Sequence, residues 1–259
     1  MDSPQSEVSG AAIRAEGFGL KGPRGWVFRG VSVDAAPGSL VAVTGPSGSG
    51  RTCLLLALTG RMKPAEGWAR VDEHQLPRAM AAVRRISALA QVPGVSELDP
   101  ALTVAEHLRE RVMLKRRYDG SVRALLRSPA RRRAEAKALI DQALAGAGFD
   151  LAALPKRERT AVRDLERLEA LRLTVALALI QRPRLLAVDD TDMKLADGER
   201  TAAWALLRSL ADAGTTVLAV CAEAPAGADT TVTTTEAGAE DGATSEKGAA
   251  DACATTGSA

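Results

Sequence analysis

Aromatic residues are nearly missing: three Trp, three Phe and one Tyr make up 3% of 259 residues. Few side chains are therefore available as stacking platforms for bases, which counts against a nucleic-acid surface. Histidine is scarcer, with only His74 and His107, both read as surface residues. The three cysteines, Cys53, Cys221 and Cys253, are odd in number, and none has metal-type spacing. That argues against a disulfide framework or a zinc cluster and suits a reduced, cytosolic protein. Cys53 and Cys221 sit in apolar runs, as small core residues do. Long apolar runs are also absent: Val175 to Ile180 is far too short to span a bilayer. The start, Met1-Asp2-Ser3-Pro4-Gln5, is polar and acidic and lacks a signal-peptide core. Any membrane role is expected to come through a partner. Net charge is only +2, so no global polyelectrolyte behaviour follows.

What is present is an ordinary globular composition, 46% hydrophobic and 25% charged, with length for one large domain or two small ones. One stretch dominates: Gly45-Pro46-Ser47-Gly48-Ser49-Gly50-Arg51-Thr52. It follows the apolar run Leu40 to Val43 and precedes the run Cys53 to Leu58. Strand, glycine-rich loop and helix follow in order. The stretch fits the phosphate-loop pattern G-x-x-x-x-G-K-[ST] except that Arg51 stands for Lys. Glycines let backbone N–H groups turn inward on phosphates, and the helix start adds its positive dipole end. Thr52 supplies a hydroxyl where Mg²⁺ takes an oxygen ligand. The bland alternative, a flexible surface loop, does not explain the flanking strand and helix.

Along the chain, residues 1–10 read as a loose tail. Short strands are expected between Ile13 and Asp34, with a turn at Gly22-Pro23-Arg24-Gly25. Further short strands are expected at Trp68 to Val71 and at Ile86 to Ala90, the latter ending on Gln91. Thr103 and Glu106 have the spacing of a capping box. Residues 104 to about 180 read as mostly helical. Between Arg109 and Lys137 eleven Lys/Arg face three Asp/Glu, a local +8 (11 − 3). That segment reads as a solvated helix face, or as a contact for anionic lipid or nucleic acid; only Tyr118 could stack there. Arg184 to Asp190 is an apolar strand ending on two carboxylates. A helix at 199–213 and a β-branched strand at 215–220 follow. Strands alternating with helices argue for an α/β fold with a mostly parallel sheet. From Glu223 onward Ala, Thr, Gly and acidic residues dominate, with Val232 the only large aliphatic residue. Residues 224–259 are therefore expected to be a disordered acidic tail.

The order of these pieces resembles the nucleotide-binding subunit of ATP-binding cassette (ABC) transporters over residues 11–223. The Gly45 to Thr52 loop matches the Walker A motif. Gln91 matches the Q-loop glutamine. Arg184 to Asp190 looks like Walker B, with Asp189 the Mg²⁺-linked aspartate. Thr191 to Arg200 aligns with the D-loop segment, where Leu195 fits. The resemblance implies a P-loop NTPase sheet core with N-terminal antiparallel strands and an inserted helical subdomain at about 95–172. It implies ATP and Mg²⁺ as cofactors, held by Gly45, Pro46, Ser47, Gly48, Ser49, Gly50, Arg51, Thr52 and Cys53. Thr52, Gln91 and Asp189 would serve the metal, and Asp190 and Gln91 the chemistry. Trp26 is a candidate to stack on adenine, since the strict position is Gly22; Phe18 is another.

The departures from the family are as informative. Arg51 replaces the lysine, with a bulkier, differently directed fork. Asp190 stands for the catalytic Glu and is one methylene shorter. The signature L-S-G-G-Q becomes Leu165-Glu166-Arg167-Leu168-Glu169, whose carboxylates would repel a phosphate. Ala222 fills the place of the switch histidine, and Ala196 that of the D-loop aspartate. The resemblance thus implies an ABC-type ATPase class with impaired activity. The expected partners are a membrane permease subunit and a second ATP-binding subunit, identical or not. The expected location is cytoplasmic, at the inner face of the cell membrane through that partner. Alternatives are a nucleotide-gated regulatory module without hydrolysis, or nucleic-acid binding through residues 109–137.

Overall fold

The computed structural model describes residues 10–118, 128–192 and 194–235. The expected N-terminal tail up to residue 9, Cys253 and the acidic stretch beyond 235 lie outside the described residues.

Two sheets share the work. Strands β1 (Ile13–Gly22), β2 (Gly25–Ala35), β4 (Glu66–Val71) and β5 (His74–Leu76) form an antiparallel sheet in the order β2-β1-β4-β5. The expected turn at 22–25 closes its first hairpin, pairing Gly22 with Gly25. Strands β3 (Leu40–Thr44), β6 (Ser87–Leu89), β7 (Leu185–Val188), β8 (Thr216–Val220) and β9 (Thr230–Thr233) form a second sheet, ordered β6-β7-β8-β3-β9. All its pairings are parallel.

A parallel sheet covered on both faces needs apolar residues at every position, not alternate ones. The runs Leu40–Val43, Leu185–Val188 and Val217–Val220 meet that need. The pleat sends Val41, Val43, Leu185, Ala187, Leu218 and Val220 to one core, shared with helix α1 (Arg51–Leu58) and the antiparallel sheet. Leu40, Leu186, Val188, Val217 and Ala219 face the other core, under helices α5 (Arg167–Leu179) and α6 (Asp197–Asp212).

The remaining helices are α2 (Met80–Ile86), α3 (Val104–Tyr118) and α4 (Pro129–Gly146). Thr103 and Glu106 form the expected capping box at the start of α3: the Glu106 carboxylate accepts from the Thr103 N–H at 2.7 Å, and the Thr103 hydroxyl accepts from the Glu106 N–H at 3.3 Å. The two sheets are also joined by charge. Arg184, just before β7, grips Asp72 after β4 with two bonds, 2.5 and 3.0 Å.

One expectation is corrected. The fold does not stop at residue 223. Strand β9 lies inside the stretch expected to be disordered and pairs with β3 from Val41↔Thr230 to Thr44↔Thr233. Val232 is buried in the core, and Asp229 anchors the strand by accepting from the Leu40 N–H at 2.7 Å. The sequence signal was the run Thr230-Thr231-Val232-Thr233-Thr234-Thr235, β-branched at every position.

Candidate functional site

The carboxyl ends of the parallel strands gather the chemistry-bearing residues on one rim of the sheet. Open α/β sheets bind ligands outside this edge. Gly45 follows β3, Gln91 follows β6, Asp189 follows β7, Cys221 follows β8 and Thr234 follows β9.

Glycine is required at two points of the loop between β3 and α1. Gly45 has φ 142°, and a Cβ there would lie 2.4 Å from the Thr234 carbonyl oxygen. Gly50 has φ 84°, and its Cβ would lie 2.6 Å from the Val27 carbonyl oxygen. Between them Pro46, Ser47 and Gly48 are exposed, and the space over Gly48 is open. Ser49 is buried: its hydroxyl donates to the Pro46 carbonyl at 2.8 Å and meets the Thr234 hydroxyl at 2.6 Å. The loop is thus pinned at its base and open at its crest. Helix α1 begins at once, with the Leu54 N–H on the Gly50 carbonyl at 2.8 Å and no side-chain cap. Its first N–H groups have no carbonyl of their own helix to meet.

Thr52, on the first turn of α1, donates its hydroxyl to Asp189 at 2.5 Å. Asp189 is 2% exposed. Its second oxygen accepts from the Asp190 N–H at 2.9 Å, and its own N–H donates to the Gln91 carbonyl at 2.7 Å. Burial pushes the Asp189 carboxyl above its ordinary range, against the pull of the Thr52 and Asp190 hydrogen bonds. Asp190 is turned by a left-handed backbone, φ 49°. With Gln91, Thr191, Arg167 and Leu195 it lines a cavity of about 230 Å³.

Arg51 stands at the start of α1, and its guanidinium donates to the Cys221 carbonyl at 2.8 Å. The next residue, Ala222, donates its N–H to the Asp192 carboxylate at 2.9 and 3.2 Å. Cys53 is half-buried, and burial, together with Asp189, pushes its thiol up.

The Trp26 ring, on β2, lies against Gly19, with Arg29 4.8 Å and Lys21 5.6 Å from the ring centre. Its neighbour Val27 meets the loop at Gly50. Phe18 is fully buried beside Phe28, their ring centres 6.0 Å apart. At the start of α5 the Glu169 carboxylate reaches back to the Glu166 N–H at 2.8 Å, so that helix start is capped by its own acid. Val27 and Thr234 belong to the site without having been singled out in the sequence, and Thr191 and Asp192 had entered only as the start of the Thr191 to Arg200 segment. Their partners lie between 23 and 185 residues away in the chain, beyond any local pattern.

The ABC transporter family profile matches residues 28–192. Among curated relatives, the Nod factor export ATP-binding protein I of Cupriavidus metallidurans is 32% identical over 189 residues, 73% of this chain and 55% of the relative. The daunorubicin/doxorubicin resistance ATP-binding protein DrrA of Streptomyces peucetius is 32% identical over 191 residues, 73% of this chain and 51% of the relative. The chain therefore spans about half the length of these relatives. Among solved structures, the dimeric bacterial ABC transporter cassette MJ0796 superposes with a TM-score of 0.67 at 20% identity, covering 86% of this chain and 94% of that one.

Proposed function

The chain belongs to the ABC transporter family, and from that premise we propose that it is the ATP-binding subunit of a transporter, holding Mg-ATP at the Gly45–Thr52 loop with hydrolysis weak or lost. The observation that carries the reading is the Thr52–Asp189 bond beside an open glycine loop. A hydroxyl and a carboxylate 2.5 Å apart are hard oxygen donors, too few for an all-protein cage. That suits Mg²⁺, which keeps waters and takes phosphate oxygens. Thr52 and Asp189 would hold the ion, whose charge would offset that of the phosphates. Backbone N–H groups of Ser47, Gly48, Gly50, Arg51, Thr52 and Cys53 would cradle the phosphate chain, with Gln91 beside the metal.

Weak hydrolysis has several supports. Asp190 is a short carboxylate, and a base misplaced by about 1 Å loses on the order of a hundredfold. Ala222 has no side chain able to reach a phosphate. The start of α5 already satisfies a backbone donor with Glu169. A subunit with this turn would complete a partner's phosphate site poorly.

The partner would be a membrane permease subunit, with a second ATP-binding subunit alongside. No helix among the described residues is long and apolar enough to cross a membrane. Docking is supported by a cavity of about 510 Å³ between the 95–102 stretch, α3 and α5, rimmed by the exposed Val95 and Leu114. A second reading, a nucleotide-gated module that never turns over, is favoured by the engagement of Arg51 with Cys221. Partner-stimulated phosphate release that Asp190→Asn abolishes would exclude it, whereas tight ATP binding without release would select it.

A further inference from the structure

We propose that Arg51 is a nucleotide-responsive latch: its guanidinium holds the Cys221–Ala222 peptide, and the terminal phosphates of a bound nucleoside triphosphate compete for it and draw it away. The inference rests on the reading that the Gly45–Thr52 loop binds nucleotide.

The first ground is the mismatch between Arg51 and its partner. A guanidinium stays charged and offers five donors. Among the described residues this one has a single hydrogen bond, to a neutral carbonyl. The acid coupled to its charge, Asp189, is already engaged. Asp189 feels the charge of Arg51, but one of its oxygens takes the Thr52 hydroxyl and the other the Asp190 N–H. A phosphate oxygen arriving at the loop is a stronger acceptor than a carbonyl. Charge-assisted bonds of this kind are roughly twice as strong as those with one neutral partner, and Arg can make two at once.

The second ground is what Arg51 holds. One peptide group is gripped from both ends. Its oxygen, Cys221 O, accepts from Arg51; its N–H, on Ala222, donates to Asp192. A cation on the oxygen makes the N–H a better donor, so the two bonds support each other. The Cys221 thiol between them is pushed up to about 12 by burial and by Asp192, with Arg51 opposing.

The third ground is where the grip leads. Asp192 belongs to the turn that follows Asp189 and Asp190, and the Thr191 N–H donates to the Val220 carbonyl at 3.1 Å. Two residues of this turn, Asp190 and Lys194, sit in the left-handed region at φ 49° and 64°. Such conformations persist only where neighbours hold them. When Arg51 leaves, the Asp192 anchor weakens, and phosphate occupancy is felt at the turn carrying Asp190. No histidine is needed for this: the positions flanking the peptide supply a cation and an anion instead.

The test is hydrogen exchange at the Ala222 amide of the full chain, with and without saturating Mg-ATP, with occupancy followed by calorimetric titration of the same sample. The latch predicts that bound ATP speeds exchange at Ala222 by up to about threefold, the weakening of its hydrogen bond to Asp192. In Arg51→Met the amide exchanges at that faster rate without nucleotide, and ATP adds nothing. Saturating ATP that leaves the wild-type rate unchanged, or slows it, overturns the latch and makes Arg51 a fixed strut. The wild-type comparison stands even if the variant folds poorly. A flat titration overturns the nucleotide reading itself, and the latch with it.

Discussion

Thr52 and Asp189, 137 residues apart in the chain, share a 2.5 Å hydrogen bond between the first turn of α1 and the end of β7. The bond brings the two oxygens together at the base of the glycine loop. Asp189→Asn removes the charge a divalent ion needs. Nucleotide affinity in that variant is expected to lose its dependence on Mg²⁺, and calorimetric titration with and without the ion checks it. A Mg²⁺ effect as large as in the wild type would mean that the ion sits elsewhere.

The loop glycines differ in what they tolerate. At Gly45 a Cβ meets the Thr234 carbonyl at 2.4 Å; at Gly48 it meets open space. Both have positive φ, so each Ala variant carries roughly 1–2 kcal/mol of backbone strain. Gly45→Ala adds a clash with backbone and is expected to cost at least about 2 kcal/mol more than Gly48→Ala in chemical denaturation. Equal costs would mean that β9 does not close on the loop.

Strand β9 hangs on Val232 and Asp229. Val232 is 4% exposed, and Val232→Ala is expected to cost roughly 2 kcal/mol. A value near zero would mean that the strand adds nothing to the core.

Asp229 is held below the usual carboxylate range, first by the Leu40 N–H and then by Arg208. The side chain is 45% exposed, so its worth is discounted to about 1 kcal/mol. A depressed carboxylate stabilises the fold above its unfolded pKa, about 3.9, and that gain is lost as pH falls through the lower folded value. Asp229→Ala should therefore be less stable than wild type at pH 7, with the gap closing below about pH 4. Melting curves of both proteins across that range check it; a gap that widens on acidification contradicts it.

How far the sequence carried can be read from single residues. The apolar runs at 40–43, 185–188 and 217–220 announced a doubly covered parallel sheet, because burial on both faces leaves no room for polar alternation. The glycine pattern announced the loop, because only glycine allows its backbone. For Trp26, aromatic character alone does not say which face of a strand a ring takes; its ring meets Lys21 and Arg29. Asp192 was silent, because an acid in a turn looks solvated until the N–H it serves, 30 residues on, is folded beside it. Acidic, glycine-rich composition hid β9, since a strand supplied with a ready-made edge needs only one buried aliphatic side chain, Val232.

The most direct measurement is an equilibrium Mg-ATP titration of the full chain, with phosphate release followed on the same sample and on Asp189→Asn. A saturable binding curve with release no faster than in that variant is the predicted result. No binding, or release clearly above the variant's, would contradict an ATP-binding subunit that has lost its turnover.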